Sequence, residues 1–255
     1  MTVIAFKDGH MFADTMSCVY DQGADHRSGH HSISVQKIQP VPDGTPAYVN
    51  GDDKPITPDL FMFAGSLRAV KTVMSNREGL LSFFGLNEFK PGRYKIGVLG
   101  FKPNDYTYTL IYRIGKKCFS VEFDGTELVI SQPMSEYYAG SGAEHLSQIY
   151  RNLFSHRKED AEDDWKRVRA AMRLLIKSGV SEGVGGDLTE AHADGDLIDC
   201  CEISFSDDEK EILCGYYRNS LMYLAGIEKT EVKETPKVEM KGKKKKAAKS
   251  KAKEK

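Results

Sequence analysis

A threonine stands second in the chain, within Thr2-Val3-Ile4-Ala5-Phe6-Lys7-Asp8-Gly9-His10-Met11-Phe12-Ala13-Asp14. Trimming of Met1 makes it an N-terminal nucleophile that carries its own base. A free α-amine titrates near ~7.7–8.0, so around neutral pH much of it accepts a proton from the neighbouring hydroxyl without a histidine. Threonine is small enough for ordinary methionine trimming, and no propeptide need be invoked. Taken singly, Thr2 is also just the residue after an initiator, so the case depends on what the rest of the chain brings to it.

Other chemistry is weaker. His26, His30 and His31 fall in one polar stretch, but no helix holds two imidazoles together there and no paired acid or cysteine completes a metal set. Solvated loop histidines are the plainer reading. His145 and His156 lie on or near a polar helical face. Gly183-Val184-Gly185-Gly186 lacks the following Lys-Ser/Thr and the strand-to-helix context of a phosphate loop. No metal or cofactor is expected. The five cysteines, Cys18, Cys118, Cys200, Cys201 and Cys214, are scattered and odd in number, which argues for reduced thiols rather than a disulfide framework.

Charge is divided. The formal net charge is −1, yet nine lysines between Lys241 and Lys255 stand against Glu254 alone, leaving +8 there and −9 in the remainder. Residues 228–255 lack aromatics and apolar periodicity, so they form an expected disordered lysine-rich tail after one domain over 1–227. The tail is a solubilising appendage or, in a sharper reading, a salt-sensitive tether to a polyanion. No run approaches the ~20 apolar residues of a membrane helix and none reads as a secretory signal. The expectation is a soluble, cytoplasmic protein without a membrane partner.

The elements that must position Thr2 follow from patterning. Thr2 to Lys7 and His10 to Thr15 flank Asp8-Gly9, a two-residue hairpin signal. Tyr20 to His31 reads as a loop, Ile33 to Gln39 as a strand, and 40–58 with its prolines as an irregular excursion. Leu60 to Ala64 is a strand feeding a helix from about Ser66. Strands follow at Arg93 to Phe101, Tyr106 to Ile114, Cys118 to Phe123 and Glu127 to Gln132. Leu146, Ile149, Tyr150, Leu153 and Phe154, then Trp165, Val168, Met172, Leu175 and Ile176, make the core-facing stripes of two helices. Leu197 to Phe205 reads as a late strand. Ser206-Asp207-Asp208-Glu209 caps a last helix to about Ala225. This succession predicts an α+β fold of two packed sheets with helices outside.

Taken together, Thr2, Ala13-Asp14, Lys37-Ile38, Ala64-Gly65-Ser66 and Gly140-Ser141-Gly142 resemble, in order and spacing, the proteasome β-subunit and HslV family of N-terminal-nucleophile hydrolases. The resemblance covers roughly residues 2 to 200. It implies a four-layer αββα sandwich of two mainly antiparallel sheets. It also implies that Lys37 is the active-site lysine, a cation that disfavours protonation of the α-amine and orients the hydroxyl, with Asp14 as its paired acid. Ser141 matches the serine beside the α-amine, and Gly65 the glycine whose N–H meets the oxyanion. Gly142 and, in the pocket lining, Met16, Ser17 and Cys18 are candidate substrate contacts. In an HslV register the oxyanion position falls at Met62 instead. Many proteasome subunits carry an aspartate before the paired glycines; Ser181 or Glu182 occupies that region here.

Three functions are consistent with these residues. The first is a threonine peptidase subunit of a homo-oligomeric ring, acting on polypeptides delivered by an ATP-dependent unfoldase. The second is an inactive scaffold of the same fold with a polyanion-binding tail. The third is an amidohydrolase of the same nucleophile class that acts on a small molecule.

Overall fold

The computed structural model describes residues 2–20, 30–51, 54–65, 86–95, 107–154, 164–179, 181, 183–195 and 197–200. Its first hairpin joins β1 (Ile4–Lys7) to β2 (His10–Asp14). Asp8 and Gly9 both take positive φ, 50° and 93°, the backbone that matches a tight turn to the strands' twist. Along β1 the side chains alternate between two cores. Ala5, with Val3 just ahead of the strand, packs with the helices, while Ile4 and Phe6 face a second sheet. Full burial of side chains such as Ile4 and Phe6 stabilises the fold by roughly 1.5–3 kcal/mol each.

β1 lies inside a five-stranded antiparallel sheet of order β11-β1-β2-β12-β13, completed by β11 (Glu136–Ala139), β12 (Leu188–Ala191) and β13 (Leu197–Cys200). The second sheet has order β5-β6-β8-β9-β10-β7. Its strands are β5 (Ile38–Pro40), β6 (Leu60–Gly65), β7 (Gly92–Lys95), β8 (Tyr108–Ile114), β9 (Lys117–Phe123) and β10 (Glu127–Ile130). A separate hairpin pairs β3 (Met16–Tyr20) with β4 (His30–Ser34).

Helices α1 (Ala143–Phe154) and α2 (Asp164–Ser178) cover the first sheet, with Leu146, Ile149, Val168, Met172 and Leu175 against Val3, Ala5 and Phe12. Ile4, Phe6, Met11 and Ala13 meet Ile38, Met62, Ala64, Ile111 and Cys118 between the sheets. An aromatic core of Phe61, Phe63, Tyr112 and Phe119 with Tyr48 and Phe89 lies on the far face of the second sheet. The described residues thus supply a helix layer and two sheets. The helices expected from Ser66 and from Ser206 to about Ala225 lie outside the described residues, as does the 228–255 tail. None of the described helices is long and apolar enough to cross a membrane.

Several elements differ from the sequence reading. The polar stretch from Tyr20 to His31 is not loop at its ends: Tyr20 pairs with His30 and Val19 with His31, because a partner strand overrides local polarity. His26 lies outside the described residues. The expected strand Ile33–Gln39 divides in two. Pairing with β3 runs out where Val35 donates to the Thr15 carbonyl at 2.7 Å, and Ile38 begins a new register against Met62 in the six-stranded sheet. Two short strands carried no readable pattern. β11 is a four-residue edge strand whose place is set by its register with β1. β12 is buried along its whole length, Glu190 included. Glu190 is 2% exposed and accepts from Arg173 at 2.6 Å with Arg169 at 3.7 Å. Those α2 cations remove the penalty of an isolated interior carboxylate.

Candidate active site

Thr2 sits at the head of β1, a strand paired on both sides, so its backbone is fixed from both flanks. Asp14 N donates to the Val3 carbonyl at 3.2 Å, and Gly142 N donates to the Thr2 carbonyl at 3.0 Å. Thr2 is 6% exposed. Its hydroxyl donates to Asp14 Oδ1 at 2.6 Å, and Lys37 Nζ donates to the same hydroxyl oxygen.

Lys37 reaches this point from the irregular segment just ahead of β5. Ile38, 0% exposed in the intersheet core, anchors the backbone beside it, and Lys37 is itself 2% exposed. Its ammonium donates to Asp14 Oδ1 at 2.6 Å and to the Met16 carbonyl at 2.6 Å. Asp14 also accepts from Val3 N at 2.8 Å and from Gly185 N at 3.3 Å. Desolvating a lysine and an aspartate costs several kcal/mol per ion unless geometry and hydrogen bonds compensate. Here the compensation converges on one hydroxyl oxygen, where a cation favours alkoxide character.

Ser141 stands on the other side. Thr2 N donates to Ser141 Oγ at 3.1 Å, and Ser141 Oγ donates to the Thr2 carbonyl at 3.4 Å. The Gly140-Ser141-Gly142 turn can pass this close only without side chains. Gly140 has φ +91°, and a Cβ there would lie 2.3 Å from the Thr2 carbonyl oxygen; a Cβ at Gly142 would lie 2.7 Å from Val184 and 2.9 Å from Val3. The Gly142 N–H is engaged by the Thr2 carbonyl, so in this arrangement it positions the Thr2 backbone.

Thr2, Asp14, Lys37 and Ser141 are therefore brought together from positions up to 139 residues apart. Gly65 closes β6 with φ +110° and shares an open cleft of about 410 Å³ with Gly140. Met62 faces away from any groove, being 0% exposed in the intersheet core. Cys18 lies on β3 opposite Ser32, and Met16 opposite Ser34. Ser181 is buried, and its carbonyl accepts from Val184 N at 3.1 Å; Glu182 lies outside the described residues. Among the described residues, no three His, Cys, Asp or Glu side chains converge as a metal ion requires.

Sequence reasoning missed the backbone partners. Gly185 N on Asp14, and the Met16 carbonyl on Lys37, follow from segment 183–187 docking on residues 15–16. There Thr15 N donates to the Asp187 carbonyl at 2.9 Å and Met16 N to the Gly185 carbonyl at 3.1 Å. The paired glycines were the available signal. A Cβ at Gly186, φ +75°, would lie 2.5 Å from Thr15 Oγ1.

No family model matches this sequence, and no curated protein matches it significantly. Among solved structures the chain is similar to eukaryotic HslV from Trypanosoma brucei, at 14% identity and a TM-score of 0.43, over 75% of this chain and 98% of that one. It is also similar to Thiobacillus denitrificans BPH in complex with epoxomicin, at 12% identity and a TM-score of 0.39, over 78% of this chain and 98% of that one. BPH alone gives 13% identity and a TM-score of 0.37 over the same shares.

Proposed function

We propose that this chain is a threonine-type N-terminal-nucleophile hydrolase that cleaves peptide bonds through Thr2. The observation that carries this reading is the joint engagement of the Thr2 hydroxyl by Lys37 and Asp14 inside a buried site, with Ser141 Oγ at the Thr2 nitrogen. Cleavage of the Met1–Thr2 bond converts that nitrogen into the amine the chemistry needs.

The amine takes the hydroxyl proton, directly or through one water, as Oγ1 attacks the substrate carbonyl. The carbonyl oxygen becomes an oxyanion, and the Gly65 N–H is the assigned donor; such a donor contributes roughly 2.7–4 kcal/mol to the transition state. Collapse breaks the C–N bond, the ammonium returns its proton to the leaving amine, and an ester remains on Thr2. Water, deprotonated by the same amine, releases the acid and restores the hydroxyl. Lys37 holds positive charge at Oγ1 throughout, and Asp14 fixes Lys37. Substrate binds in extended form beside the open Gly65–Gly140 cleft, through backbone pairing. A homo-oligomeric ring, an ATP-dependent unfoldase partner, a cytoplasmic setting and a polyanion contact through residues 241–255 belong to the same proposal.

The test is covalent labelling. Intact mass first establishes loss of Met1. Epoxomicin then adds one equivalent to Thr2, and the adduct is absent in Thr2→Ala. Retained Met1, or labelling unaffected by Thr2→Ala, refutes the nucleophile assignment. Sizing in solution separately decides between a ring and a monomer.

A further inference from the structure

Resting on the reading of Thr2 as nucleophile, we propose that Thr15 is a positioning residue of the site, whose hydroxyl stands in for a backbone acceptor and so joins the segments that carry Asp14, Lys37 and Gly185.

Thr15 and Asp187 extend the antiparallel pairing of β2 with β12, in which Asp14 lies opposite Leu188. In a hydrogen-bonded antiparallel pair the two residues exchange both N–H···O bonds. Here only one of the two forms, from Thr15 N to the Asp187 carbonyl at 2.9 Å. The return donor, Asp187 N, goes to Thr15 Oγ1 at 2.8 Å. The Thr15 carbonyl is turned instead towards Val35 N, from which it accepts at 2.7 Å, two residues ahead of Lys37. The hydroxyl thus lets the chain leave β2 for β3 while the Asp187 N–H stays paired, and an unpaired buried donor is costly.

What this junction holds is the support of the reactive group. Met16, the next residue, gives its carbonyl to Lys37 Nζ at 2.6 Å and its N–H to the Gly185 carbonyl at 3.1 Å. Gly185 N then reaches Asp14 Oδ2 at 3.3 Å. The glycines leave room for the arrangement: a Cβ at Gly186 would lie 2.5 Å from Thr15 Oγ1, and one at Gly185 would lie 2.8 Å from Met16 Sδ. Serine at position 15 keeps the acceptor, whereas valine keeps the shape and removes it. Without the acceptor, the Thr15 carbonyl swings back to Asp187 N and releases Val35 with Lys37, or Asp187 N stays unpaired and Gly185 loosens on Asp14. Both disturb the Lys37–Asp14 geometry at Thr2 Oγ1.

The experiment compares the Met1-free protein with Thr15→Val and Thr15→Ser, over a series of epoxomicin concentrations. Thr15→Val is expected to lower the maximal labelling rate by up to about 100-fold, the cost of a ~1 Å misplacement, with the half-saturating concentration unchanged. Thr15→Ser restores the rate. A merely structural role would reduce the fraction of molecules that label and leave the rate of those that do. Amide hydrogen exchange reads the junction independently of Thr2: protection at Val35, Gly185 and Asp187 falls by about fivefold in Thr15→Val, the equivalent of one lost hydrogen bond, and returns in Thr15→Ser. An unchanged maximal rate in Thr15→Val, a fall that Thr15→Ser does not restore, or unchanged protection at Val35 and Gly185 overturns the proposal while wild-type labelling of Thr2 stands. Absence of labelling in the wild-type protein refutes the nucleophile assignment instead, and exchange then decides the junction alone.

Discussion

The Lys37 ammonium lies 2.6 Å from the Asp14 carboxylate, in a site where the two side chains are 3% and 0% exposed. Few places in a fold tolerate that pair for stability alone, because replacing a buried ion pair by packed hydrophobics is often neutral or favourable. Both side chains also contact the Thr2 hydroxyl, the contact on which the proposed catalytic role rests.

This makes a double-substitution cycle informative. Lys37→Met leaves Asp14 buried and uncompensated and is expected to cost about 3–5 kcal/mol of stability. Adding Asp14→Leu recovers part of it. Activity is lost in both variants. Chemical denaturation and the labelling assay, run side by side, check the separation; catalysis surviving Lys37→Met contradicts the assigned role.

Ser141→Ala tests the nitrogen side. The hydroxyl accepts from Thr2 N at 3.1 Å on an exposed turn, so stability changes by only about 1 kcal/mol. The rate of Thr2 acylation is expected to fall by about 100-fold, the lower end of an acid–base contribution. Stopped-time mass spectrometry of the adduct measures it.

Gly140→Ala should act through geometry. The φ of +91° and the 2.3 Å approach to the Thr2 carbonyl oxygen combine left-handed strain, about 1–2 kcal/mol for a residue with a Cβ, with a clash against main chain. Lower thermal stability and lost Thr2 labelling are expected together, whereas Gly44→Ala has open space around its Cβ and serves as a control for backbone strain alone.

A pH effect arises at the opposite end of β2. His10 stacks on Trp165 at 4.0 Å, with His192 edge-on at 5.3 Å. Burial first, then the His192 charge and the Arg113 and Arg169 guanidiniums, lower its pKa from 6.5 to about 4, with Asp194 opposing. The unfolded chain then binds the extra proton between those values, so stability is full above about pH 6.5, falls as pH drops towards 4 and levels below it. His10→Phe keeps the ring stack and should flatten that slope in pH-dependent denaturation.

Much of the site was legible because its members lie at strand starts and turns, where residue type follows backbone need. Thr2, Asp14 and Ser141 sit beside positions that local rules identify: a hairpin strand, its end, and a Gly-Ser-Gly turn. α1 and α2 follow their apolar stripes. β11 and β12 did not show, since a four-residue strand is decided by its partner rather than by its own pattern.

The amino-acid order by itself determined the apolar periodicity of the strands and helices, the capacity of Thr2 to serve as its own base once freed, and the acidic body against a basic end. These are local or additive properties, carried by one residue or one stretch. Only the tertiary structure decided that Lys37 meets Thr2 and Asp14 and that Gly185 supports the acid. Such contacts join positions 12 to 171 residues apart, and their formation depends on sheet register and burial, which no single segment encodes.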